Sequence, residues 1–67
     1  MQDYQEHVVV ERNELSARID KLRAFTNGGG FPLLKSEERG RLTRQLIVMS
    51  TYLAILNERI AAFKGVV

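Results

Sequence analysis

Gln45, Tyr52 and Arg59 follow one another at intervals of seven residues, in a row beside an apolar series. On a helix that spacing lines up a carboxamide, a phenol and a guanidinium along one edge. Such a row could bind a nucleotide. The tyrosine ring stacks on a base, the arginine pairs with phosphate, and the glutamine reads a base edge or a ribose. The plainer alternative is structural, because polar groups at a helix interface often set register or oligomeric state. Glu11 and Arg18 fall on the buried-side arc of the first expected helix and could serve either role.

A second cluster surrounds the start of the second expected helix. Lys35, Arg39, Arg41 and Arg44 place four cations within ten residues. Free amides and the positive end of the helix dipole favour anions at such a point. Glu37 and Glu38 offset part of that charge, and Glu37 with Arg41 makes an ordinary i+4 pair, so a solvated charged face is the competing reading. Together the phosphate candidates are Arg59, Lys35, Arg39 and Arg41, and the stacking candidates are Tyr52 and Tyr4.

The stretch FTNGGGFPLLKSEE invites comparison with phosphate-binding loops and fails it. A P-loop requires GxxxxGK[ST] after a strand, and a dinucleotide loop requires GxGxxG after a strand. Here the glycines follow a helical segment, and no second glycine stands before Lys35-Ser36. Catalytic groupings are missing as well. There is one histidine and no cysteine, so no Ser-His-Asp, Cys-His or thiolate metal set can be assembled. His7 lies with Asp3 and Glu6 near the N-terminus, where fraying defeats precise geometry. The residues point away from an enzyme and imply no cofactor and no metal.

These side chains need two helices to position them. Tyr4, Val8, Leu15, Ile19 and Leu22 mark one face of a helix over about 3–26. Glu14 with Arg18 and Asp20 with Arg23 support it as neighbouring pairs. TNGGG then stops it, since Asn and Gly readily take the left-handed conformation at a helix C-terminus. In the connection, 27–36, Phe31, Leu33 and Leu34 are expected to fold back over the hairpin tip. Ser36 is the expected cap of a second helix over about 37–63. Its apolar series Leu42, Leu46, Met49, Leu53, Leu56, Ile60, Phe63 alternates strictly by four and three. Gly40 costs that helix about 1 kcal/mol of propensity. The fold class is therefore all-α, an antiparallel two-helix hairpin forming one domain over 1–67.

One hairpin cannot cover everything the second helix presents. Beyond the inward series and the Gln45 row lie Val48, Ile55 and Ala62, again seven apart. With Phe63 they are the expected interface of a homo-oligomeric helical bundle; a single core is marginal in a 67-residue chain without disulfides, and association is the expected source of the missing stability. The partner expected first is therefore the chain itself. A net charge of +2 with mixed signs argues against nonspecific nucleic-acid binding. The polar, acidic start MQDYQEH is no signal peptide, and the longest unbroken apolar run, LIVM, is far short of a membrane span. The expectation is a cytoplasmic protein with no membrane partner.

The segment DYQEHVVVERNELSARIDKLRAF, a glycine turn, F-x-L, and then E-x-x-R-L-x-x-Q-x-x-x-M-x-x-Y-x-x-I-L-x-x-R-I-x-x-F resemble a family of very small bacteriophage proteins found in crAss-like and other phages. The resemblance spans nearly the whole chain. It rests on Tyr4, Leu15, Leu22, Phe31, Leu42, Gln45, Met49, Tyr52, Leu56, Arg59 and Phe63. In size and helical architecture the chain also resembles phage anti-defence sponges, which oligomerise and sequester the nucleotide signals of CBASS or Thoeris immunity. That second resemblance implies a noncatalytic protein of the host cytoplasm holding a cyclic oligonucleotide or ADP-ribose derivative between subunits. It carries over no binding residue. The alternatives are an inhibitory protein-interaction module and a small DNA-associated or virion accessory protein.

Overall fold

In the computed structural model, residues 3–63 are described; residues 1, 2 and 64–67, which the single-domain reading includes, lie outside them. Helix α1 runs from Asp3 to Thr26 and helix α2 from Ser36 to Phe63, joined by a 3₁₀ turn at Phe31–Leu33. Asp3 and Glu6 in the first turn of α1, and Glu37 and Glu38 in that of α2, oppose the positive end of each helix dipole. Arg23 in the last turn of α1 does the same for the negative end.

The helices close on each other along a single apolar seam. Val8, Leu15 and Ile19 of α1 and Leu56 of α2 are buried. Leu46, Met49, Leu53, Ile60 and Phe63 pack against them, half-covered. Burying a leucine or isoleucine fully yields roughly 1.5–3 kcal/mol, so this seam is the main source of hairpin stability. The all-helical hairpin read from the periodicity is thus the fold. It is also thin, measuring 51 × 15 × 14 Å with a radius of gyration of 15.3 Å. A compact chain of this length would have a radius of about 11 Å. Two helices side by side have no third element to enclose a core.

The connection departs from expectation in three respects. No described residue has a positive φ, so α1 does not end in a left-handed cap. It unwinds instead through right-handed turns, with Asn27 N–H donating to the Arg23 carbonyl at 3.1 Å and Gly28 N–H to that of Phe25 at 3.0 Å. The Thr26 hydroxyl adds a bond to the Arg23 carbonyl at 2.9 Å. Secondly, Leu33 does not fold back. It is 86% exposed, because the 3₁₀ turn directs Phe31 onto Phe25 instead, edge to face at 6.3 Å. Thirdly, Arg39 N–H donates to the Lys35 carbonyl at 3.0 Å. Lys35 therefore holds the cap position and Ser36 is the first helical residue.

Charge pairing also differs. Among the described residues the one ion pair is Arg41 Nε to Glu38 Oε1 at 2.8 Å, not Arg41 with Glu37. Both spacings bring side chains together on a helix, and here the half-buried Glu38 wins. Glu14–Arg18 and Asp20–Arg23 do not pair. By length and composition α2 is apolar enough to cross a membrane, with mean hydropathy 1.4 over an 18-residue window. The four-residue run LIVM understated this, since Ser, Thr and Tyr interrupt the run while hardly lowering its average.

Candidate ligand and assembly surfaces

α2 points its four-three series at α1 and leaves the rest of its circumference uncovered. Of the expected interface residues, Val48 is 66% exposed and Ile55 49%, and Ala62 is exposed too. Phe63 behaves differently. It turns inward, half-buried against the seam, and meets Tyr4 edge to face with ring centres 5.8 Å apart and planes at 87°. That contact engages both rings within one hairpin, although Tyr4 remains 55% exposed.

Gln45, Tyr52 and Arg59 form an exposed row beside the seam. At 1.5 Å per residue, successive members stand about 10.5 Å apart. Gln45 Nε2 has only a long contact to Met49 Sδ, at 3.8 Å. Tyr52 and Arg59 have no hydrogen bond or ion pair to any described residue. An exposed arginine and phenol with no internal partner are free to engage a ligand or a second chain.

Helix rotation places this row relative to α1. Arg12 Nη1 donates to Asn57 Oδ1 at 3.1 Å, which marks one flank of the seam. At 100° per residue the Gln45 row falls on the opposite flank, and so do Glu11 and Arg18. Both are exposed, not buried in the seam as their arc suggested. The buried arc is narrower than the sequence implied, because only one helix lies against α1.

The basic group sits elsewhere. Lys35 is exposed at the cap and Arg41 is held by Glu38. Arg39 is half-buried, and its Nε is shielded from solvent without a hydrogen-bond partner. Lys35 and Arg59 lie 24 residues apart along one helix, so about 36 Å separates them. Tyr4 is at the far end of the hairpin from Lys35. A single chain therefore does not gather the seven candidate ligand residues into one pocket. It offers the Gln45 row, and separately the cations at the hairpin tip.

Two features went unread in the sequence. The Arg12–Asn57 bond crosses the seam, and its signal was the gap between Val8 and Leu15, where Arg12 takes the place of an apolar residue. The other is an open groove of about 560 Å³ on the Arg12 flank, lined by Arg23, Leu46, Ile47, Ser50, Thr51 and Ala54. Arg23 is the one lining residue that α1 contributes. Among the described residues no cluster of His, Cys, Asp or Glu could hold a metal ion.

No curated protein and no solved structure matches the chain. A family model does, over residues 2–62, and its description is Sequestin. With a match across nearly the full length, taking in all of α1, α2 as far as Ala62 and the Gln45–Tyr52–Arg59 row, the chain belongs to the Sequestin family.

Proposed function

We propose that this protein is a noncatalytic sequestering protein. It takes up a nucleotide immune signal, a cyclic oligonucleotide or an ADP-ribose derivative, in pockets between subunits. It does so in the host cytoplasm as a phage anti-defence factor. The family's name is consistent with sequestering a molecule. The observation that carries the ligand assignment is the row in which Tyr52 and Arg59 stand exposed on one flank, with no polar partner among the described residues. Stacking on tyrosine and charge pairing with arginine are the two contacts a nucleotide needs most. A hairpin two helices thick cannot enclose a small molecule, whereas a cleft between hairpins can. Arg39 and Lys35 supply further cations at the tip, and Tyr4 a second ring.

Thermal shifts with cyclic dinucleotides, cyclic trinucleotides and ADP-ribose derivatives test this reading, alongside molar mass in solution. A ligand at a hundred times its Kd stabilises the folded state by about 2.7 kcal/mol. Melting unchanged by every nucleotide sinks the proposal. A second reading, an inhibitory protein-interaction module, is favoured by the apolar breadth of α2, where Ile47 and Val48 are among the most exposed large hydrophobic side chains. Capture of one defined host protein from infected-cell lysate, with no nucleotide response, supports that alternative.

A further inference from the structure

Directly opposite the seam, a second line runs along α2: Arg44, Thr51 and Glu58, again seven apart. All three are exposed. Thr51 is the midpoint, with opposite charges equally far on either side. We propose that α2 pairs antiparallel with α2 of a second copy, about a two-fold axis at Thr51. Arg44 then faces the partner's Glu58, and Glu58 faces the partner's Arg44. This rests on the self-association reading above and gives it a symmetry and a register. It does not depend on any ligand.

The pattern is self-complementary in the way an isologous contact demands, where residue i meets j and j meets i. Reversing α2 about Thr51 brings Ile47 beside the partner's Ala54 along one edge of the contact and Val48 beside the partner's Ile55 along the other. All four of these positions are exposed in the single hairpin. Arg44 and Glu58 make no hydrogen bond or ion pair among the described residues, so pairing breaks nothing. The Thr51 hydroxyl already donates to the Ile47 carbonyl at 3.1 Å, and therefore leaves no orphan donor on the axis. A parallel pair would instead set Arg44 on Arg44 and Glu58 on Glu58, a like-charge arrangement that disfavours it.

The area is sufficient. The 28 residues of α2 extend about 42 Å. Contact along that length buries on the order of 1,000 Å² in total, where specific interfaces begin. The groove beside the line, walled by Ile47, Thr51 and Ala54, gives the partner helix a concave apolar strip. The arrangement also has a consequence for the ligand row. With helix axes about 8–10 Å apart, Tyr52 and the partner's Tyr52 come to the same face of the dimer, on either side of its axis.

Sedimentation of the full chain with charge reversals tests the register. Arg44→Glu and Glu58→Arg should each weaken association about tenfold or more, and the double reversal should restore it. Circular dichroism checks that each variant keeps its helices. As the chain has no cysteine, Thr51→Cys should form an intermolecular disulfide under mild oxidation, while Lys21→Cys on the outer face of α1 should not. A chain that stays monomeric at high micromolar concentration overturns both this pairing and the intersubunit pocket. An oligomer indifferent to either reversal and uncrosslinked at position 51 overturns the pairing alone.

Discussion

Arg12 reaches across the seam to Asn57, its Nη1 donating to the amide Oδ1 at 3.1 Å while its Nε donates to Asn13 Oδ1 at 2.8 Å. Lying across a seam of apolar contacts, this bond ties the rotation of α1 to that of α2. It thereby decides which flank of each helix shares a surface. Arg12→Ala and Asn57→Ala should each cost about 0.5–1.5 kcal/mol. Urea unfolding at one fixed chain concentration gives both values, and the double variant should lose less than their sum.

Leu56 is 0% exposed and Leu33 is 86% exposed. Replacing Leu56 by alanine should cost about 2–5 kcal/mol, because the seam cannot collapse around the lost methyl groups. Leu33→Ala should change stability by no more than about 0.5 kcal/mol. Equal losses at the two sites in thermal melts would show that the tip is packed after all.

Two glycines are open to improvement. A Cβ on Gly29 or on Gly40 meets nothing within 4 Å, and neither residue has a positive φ. Gly29→Ala should stabilise by about 0.4–1 kcal/mol through the unfolded chain. Gly40→Ala should gain about 1 kcal/mol of helix propensity in the isolated hairpin. At Gly28 the added carbon comes to 3.4 Å from the carbonyl oxygens of Ala24 and Phe25, so Gly28→Ala should gain less than Gly29→Ala. Melting temperatures of the three variants rank them.

For the ligand row, Tyr52→Phe should keep most of any nucleotide-induced thermal shift and Tyr52→Ala should lose most of it, since stacking needs the ring and not the hydroxyl. Arg59→Lys should weaken binding, because a point charge cannot reproduce the bidentate fork on phosphate. Neither exposed side chain supports the hairpin, so helicity by circular dichroism should be unchanged. Titration calorimetry with the responding nucleotide reads the affinities.

A stretch of heavily charged or mixed sequence reveals its helices only through spacing, and here spacing was enough. The four-three series from Leu42 to Phe63, and the shorter one through Val8, Leu15 and Ile19, determine two amphipathic helices and the faces that meet. That follows because 3.6 residues per turn is a property of the backbone, not of the partner. The Gln45–Tyr52–Arg59 row was legible for the same reason.

Rotation and closure were not. Whether Arg41 holds Glu37 or Glu38 is a choice between two allowed spacings, settled by which carboxylate the hairpin half-covers. That Phe31 stacks on Phe25 while Leu33 points outward depends on a 3₁₀ turn whose glycines all keep negative φ. Glu11 and Arg18 were placed in the seam by periodicity and out of it by the width of one neighbouring helix. Periodicity names a stripe on each helix. Only packing the two stripes together says how wide each buried strip is, which flanks adjoin, and which polar side chains are left facing outward.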